Sequence, residues 1–204
     1  ILAEKIDKNI TKNNNYTLII SSAHKNEMFI HLPIIDYCLS HGIQIIYVPR
    51  HLNWKTDLKN KTKHFSPFWI CNQNELLKKI INKKKFVIVH CFGLLKQLYQ
   101  YSHVCIMGAT FNNVGGHNIM EPVANQNVLI LGPNYQTCQD LYQILNINNN
   151  IQICQNKKEI IQHIKKNKIN LQTSTYWNNI CDQIKEIQKD LNNRLLLFIN
   201  KHLI

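Results

Sequence analysis

An α/β fold with a doubly wound, Rossmann-like parallel sheet is what this sequence predicts, on three observations. Compact apolar runs recur along the chain and alternate with longer stretches of helical periodicity, the β–α order that implies right-handed crossovers. The runs are almost continuously apolar, which suits strands buried on both faces. Polar residues, glycine and proline gather directly after the runs, where open α/β sheets place their ligands.

Ile1 to Asn15 is too polar for a signal peptide and reads as a short helix and linker. Tyr16 to Ser22 is the first buried strand; Ser21, Ser22 and His24 at its end either line a site or begin a serine-capped helix. That helix, Glu27 to His41, is bent or delayed by Pro33 and stopped by Gly42. Gln44 to Val48 is the second strand, followed by Pro49, Arg50 and His51. A guanidinium fixed at a strand end can hold a phosphate or carboxylate through two parallel hydrogen bonds, although a surface ion pair is its blander use.

Phe65 to Ile70 and a helix from Asn74 to Lys84 make the next unit, whose basic tail Lys83 to Lys85 is a solvated helix end. Phe86 to His90 is a strand, Phe92 and Gly93 turn the chain into a helix ending near Tyr101, and His103 to Met107 is a further strand. After Pro133 come a helix from Tyr135 to Leu145, a strand from Ile151 to Cys154 and a basic helix from Lys157 to Lys166. The last helix, about Thr175 to His202, carries an apolar stripe through Ile180, Ile184, Ile187, Leu191, Leu195 and Phe198 that faces core or another domain. The expected division is a linker over 1–15, one domain over 16–172 and a terminal helix over 173–204.

The most informative stretch is GATFNNVGGHNIMEPVANQNVLILGP, Gly108 to Pro133. It reads as strand end, glycine loop, short helix and buried strand. Gly115 and Gly116 allow close backbone approach to a ligand, and His117 and Asn118 open a helix with outward-pointing N–H groups, an anion-binding arrangement. Glu121 on the first turn could accept hydrogen bonds from ribose hydroxyls or serve simply as a capping carboxylate.

A chain of 204 residues suits one domain. The formal charge of +12 suggests an anionic partner, yet Lys, Asn and Ile are scattered throughout and no aromatic-basic face argues for nucleic acid. Seven cysteines without a CxxC pair argue against disulfides and structural zinc and fit a reducing cytoplasm. No run reaches the roughly 18 apolar residues of a membrane span. No carboxylate cluster has metal-ligand spacing, so no metal is expected.

Four stretches, in order, resemble motifs of the 3-deoxy-D-manno-octulosonic acid (Kdo) transferases. GGHNIMEP resembles the family's GGHNPLEPA, SSAHKNE at Ser21 to Glu27 its STHPGEE, YVPRH at Tyr47 to His51 its VPRHPERF, and FGLLKQLYQYSHVCIMG at Phe92 to Gly108 its GELGLLYRLADVAFVGG. The resemblance runs from Ser21 to about Leu145. It implies the C-terminal, CMP-sugar-binding domain of a GT-B type glycosyltransferase, with the terminal helix crossing to an N-terminal domain absent from this chain.

The resemblance further implies that the whole enzyme transfers Kdo from CMP-Kdo to a lipid A precursor in lipopolysaccharide synthesis. The transfer would invert the anomeric centre without metal, and with no cofactor beside the donor substrate, at the cytoplasmic face of the bacterial inner membrane and anchored through the rest of the enzyme. The nucleotide would be held by Pro49, Arg50, Phe92, Gly93, Leu94, Gly116, His117, Asn118, Ile119, Met120 and Glu121, with Ser22, His24 and Glu27 as further lining. Glu27 has the alternative of a helix N-terminal carboxylate. Preorganised donors at Gly116, His117 and Asn118 would each stabilise the departing CMP by about 3 kcal/mol, against about 1 for a helix dipole. No catalytic residue is expected here, since the family's glutamate base lies in the other half. The family has Glu at the position of Leu94, Asp at that of His103 and Pro-Gly at Lys25-Asn26, so a nucleotide contact is expected to be missing. The competing reading is a non-catalytic sugar-nucleotide binding or interaction module derived from that family.

Overall fold

Seven strands form one sheet in the order β3-β4-β2-β1-β5-β6-β7, and every neighbouring pair runs parallel. The structure, a computed structural model, describes residues 15–72, 81, 83–146 and 150–170. The linker expected before residue 15, most of the helix expected over 74–84 and the terminal helix lie outside the described residues.

The strands are β1 (Thr17–Ala23), β2 (Gln44–Pro49), β3 (Phe68–Ile70), β4 (Phe86–Val89), β5 (Val104–Met107), β6 (Val128–Leu131) and β7 (Ile151–Ile153). The helices between them are α1 (Met28–Ser40), α2 (Lys55–Thr62), α3 (Leu95–Tyr101), α4 (Met120–Ala124), α5 (Gln139–Leu145) and α6 (Lys157–Asn170). Strand periodicity sends alternate side chains to opposite faces. Leu18, Ile20, Ile45, Tyr47, Ile88, Ile106 and Ile130 join one core with Ile34, Ile35 and Leu58 of α1 and α2 and with Ile160 and Ile164 of α6. Ile19, Ile46, Val87, Val89, Cys105 and Leu129 join the other, with Leu98, Tyr99 and Val123 of α3 and α4. Helices therefore cover both faces, as a doubly wound sheet requires. Each such buried Ile or Leu contributes about 2 kcal/mol, which explains why Pro33 is tolerated inside α1 and does not end it.

Three expectations change in detail. The third strand begins at Phe68, after a 3-10 turn over Lys63–Phe65. Helix α2 had no counterpart in the sequence pattern, because KTDLKNKT lacks an apolar stripe and buries only Leu58 and Thr62. The helix expected to open at His117 and Asn118 starts at Met120 and is 5 residues long.

The chain order reverses at β1. It grows through β2 toward one edge and through β5 toward the other, so the crevice beyond the carboxyl ends of β1 and β5 is the switch point where open α/β sheets take ligands.

Candidate functional site

The loops after β1 and β5 are locked together at this switch point. Gly108 N–H donates to Ser21 O at 2.8 Å, and a Cβ on Gly108 would collide with the Ser22 carbonyl, so only glycine fits there. Ser22 and Ala109 flank the contact with φ of 50° and 67°, left-handed backbone that costs a non-glycine residue of order 1 kcal/mol. The compensating bonds come from Glu27. Its carboxylate accepts from Ala109 N–H at 3.0 Å, Phe111 N–H at 3.0 Å and His24 N–H at 3.1 Å. Burial pushes its pKa up while these three donors pull it down.

Glu27 is fully buried, so its carboxylate anchors the glycine loop and does not line the cleft surface. Of the two readings of Glu27, a donor-site lining and a helix N-terminal carboxylate, the structure shows the second, since the carboxylate accepts from His24 N–H at the start of the Lys25–Glu27 turn and is held by three N–H groups inside the protein. The reading of the glycine loop is corrected. Gly115 and Gly116, with φ of 96° and 101°, both donate their N–H to Ala109 O, at 3.0 and 2.9 Å. Gly116 is thus not an available anion donor. His117 N–H and Asn118 N–H, by contrast, meet no acceptor among the described residues, while the Asn118 side chain caps Met120 N–H at 2.9 Å.

Around that opening the ends of β1, β2 and the β5 loop bring together four cationic or titratable side chains. His24 Nε2 lies 3.1 Å from His117 Nε2, and the His24 ring stands edge-on to His51 at 5.5 Å. Arg50 is exposed, and its N–H donates to Ala23 O at 2.9 Å, fixing the β2 end against β1. Burial first, then Arg50, His24 and His51, lower the His117 pKa to about 4; burial, His51 and Arg50 lower that of His24. Both rings are therefore neutral at pH 7 beside a guanidinium. A cleft of about 680 Å³ opens next to them, lined by His24, Lys25, Asn26, His51, Asn53, Trp54 and Lys61. Lys25 pairs with Asp57 at 2.5 Å.

The remaining candidates divide by burial. Phe92 is 64% exposed and, with exposed Gly93, projects beyond β4. Glu121 and Met120 are half-buried, and no hydrogen bond occupies the Glu121 carboxylate among the described residues. Leu94 and Ile119 have their side chains in the core, and Pro49 is buried as the last residue of β2, so these three shape the edge from beneath. Ser22 is 6% exposed.

His103 is the clearest displacement. Its Nδ1 accepts from Thr17 N–H at 3.1 Å, at the amino ends of β1 and β5. In a parallel sheet that is the edge opposite the switch point. Sequence reasoning missed Asn53 and Trp54, which reach the cleft from the segment entering α2, and Lys61 on α2 itself; the only signal was the PRH triplet leading into them.

A wholly parallel, doubly wound sheet with a cationic opening at its switch point has the architecture of the C-terminal domain of GT-B glycosyltransferases. It matches the C-terminal CMP-Kdo binding domain of WaaA from Acinetobacter baumannii with a TM-score of 0.69 and 21% identity, covering 86% of this chain and 90% of that one. No protein-family model matches the chain. The 3-deoxy-D-manno-octulosonic acid transferase of Rickettsia prowazekii (strain Madrid E) is 29% identical over 208 residues, 98% of this chain and 44% of that protein. The transferase of the same name from Chlamydia pneumoniae is 28% identical over 130 residues, 63% of this chain and 29% of its own length. By sequence the chain is similar to Kdo transferases, and its fold matches that of the WaaA C-terminal domain. It spans less than half the length of these curated relatives.

Proposed function

We propose that this chain is the donor-binding half of a Kdo transferase and holds CMP-Kdo at the carboxyl edge of its sheet. The observation that carries the reading is the convergence of Arg50, His24, His51 and the N–H groups of His117 and Asn118, which no acceptor among the described residues engages, on one opening. The phosphate sits beside Arg50 and these N–H groups, and Glu121 accepts from the ribose hydroxyls. Phe92 and Gly93 flank the base. Donors already aimed at the phosphate stabilise the charge that grows on CMP as its bond to the sugar lengthens, without reorganising, each by about 3 kcal/mol.

The acceptor is a lipid A precursor, and its hydroxyl is deprotonated by a carboxylate of an N-terminal domain outside this chain. The transfer inverts the anomeric carbon and needs no metal. The complete enzyme works at the cytoplasmic face of the inner membrane, which it reaches through its other half. Among the described residues, no helix is long and apolar enough to cross a membrane. The position of His103 at the amino edge of the sheet, away from the opening, favours the enzyme over a decayed, non-catalytic relative.

Calorimetric titration with CMP, beside UMP as control, tests the site. Selective CMP binding that is weakened in both Arg50→Ala and Glu121→Ala is the expected result. Equal affinity for the two nucleotides, or no loss in either variant, overturns the proposal.

A further inference from the structure

Two imidazoles face each other through the same kind of nitrogen. His24 Nε2 and His117 Nε2 are 3.1 Å apart, and the rings stack with centroids at 5.4 Å and planes inclined by 22°. At that separation one nitrogen carries a proton and the other offers its lone pair, so the neutral pair combines one Nε2–H ring with one Nδ1–H ring. One further proton, added at Nδ1 of the donor ring, turns the contact into a charge-assisted hydrogen bond. A second would set two N–H groups and two positive charges against each other. The pair has room for a single proton.

The neighbours decide whether that proton is held. Arg50 and His51, from the end of β2, act on both rings and oppose protonation. His31 of α1 interacts with His24, Lys25 is engaged by Asp57 of α2, and the Glu27 carboxylate is committed to backbone N–H groups. None of these supplies a free negative charge beside the pair; an anion next to Arg50 would. A phosphodiester brings one negative charge there, whereas a phosphomonoester brings about −1.5 to −2 at pH 7.

We propose that His24 and His117 form a one-proton receptor for a phosphate dianion: the pair takes up a proton from solvent when a nucleoside monophosphate binds beside Arg50 and stays neutral beneath a phosphodiester whose second ester group is uncharged. The inference rests on the donor-site reading and adds to it a sensitivity to the charge on the phosphate itself; because the donor's octulosonic acid brings a carboxylate of its own, the relevant contrast is a diester whose second group is uncharged. Binding of the monophosphate then tightens as pH falls, and its release speeds up as pH rises, while diester binding is insensitive to pH over the same range.

The test is calorimetric titration of the whole chain with CMP and with the methyl phosphodiester of CMP, in two buffers of different ionisation enthalpy. At about pH 7.5 free CMP is almost fully dianionic. The expected result is uptake of about half a proton or more with CMP and almost none with the diester. Affinity for CMP should fall by up to about tenfold per pH unit above that point. His24→Gln and His117→Gln, checked for fold by circular dichroism, should each abolish the uptake. CMP binding without proton uptake overturns the inference and leaves the donor-site reading standing. Uptake that persists in both variants assigns the proton to the phosphate and also overturns it. Failure of both nucleotides to bind overturns the inference together with the donor-site reading.

Discussion

At the carboxyl edge of the sheet His24 and His117 face each other and Arg50 at the mouth of an open cleft, whereas at the amino edge a half-buried His103 takes part in a polar network with the strand starts. There Thr17 N–H donates to His103 Nδ1 at 3.1 Å and Thr17 Oγ1 donates to Gln44 Oε1 at 2.7 Å. The Gln44 amide in turn donates to Lys84 O at 2.6 Å and to Ile81 O. The same residue types do different things because parallel strands have two unlike ends. At the amino edge side chains satisfy the strand starts themselves. At the carboxyl edge one buried carboxylate, Glu27, satisfies the loops, and this leaves the imidazoles, the guanidinium and two N–H groups for something else.

The largest effect should come from breaking the carboxyl-edge anchor. Glu27→Ala leaves the buried N–H groups of Ala109 and Phe111 without acceptors and should lower stability by about 4 kcal/mol, at 1–3 kcal/mol per orphaned group. Chemical denaturation would measure it; a loss under about 1 kcal/mol would mean that the loop does not depend on this carboxylate.

Acid should act next, through the buried face of α1. His31 is fully buried and shares a 3.2 Å contact with Tyr47 Oη, and burial, with a smaller effect of His24, lowers its pKa to about 3. The folded state resists a proton that the unfolded state accepts near pH 6.5, so this contribution is complete above about pH 6.5 and is lost as pH falls toward about 3. The loss should be on the order of 4 kcal/mol, measured as a falling denaturation midpoint that His31→Leu makes flatter.

Arg50→Ala should then weaken CMP binding by about tenfold to a hundredfold, the worth of a charge-assisted pair of hydrogen bonds, with little change in stability. His103→Ala sharpens the contrast from the other edge. It orphans the Thr17 N–H and should cost about 1–2 kcal/mol of stability while CMP affinity stays within error. Weaker CMP binding in that variant would mean that the two edges are coupled through β1 and β5.

The β–α order, the two-faced burial of the strands and the motif positions were legible in the sequence, because a strand buried on both faces must be apolar throughout and a chain reversing at a ligand crevice must place polar residues there. Arg50, His24, His117 and Glu121 could be singled out on that ground. Tertiary structure alone decided how they are used. Glu27 reads as a lining carboxylate until the loop after β5 is folded onto it, and Gly116 reads as a free donor until Ala109 O is brought beneath it. His103 looks like a lost nucleotide contact until strand polarity sets it at the far edge. Sequence determines which groups are present at each strand end; their hydrogen-bond partners come from loops tens of residues away, and only closure of the sheet decides which groups are spent on the fold and which remain for a ligand.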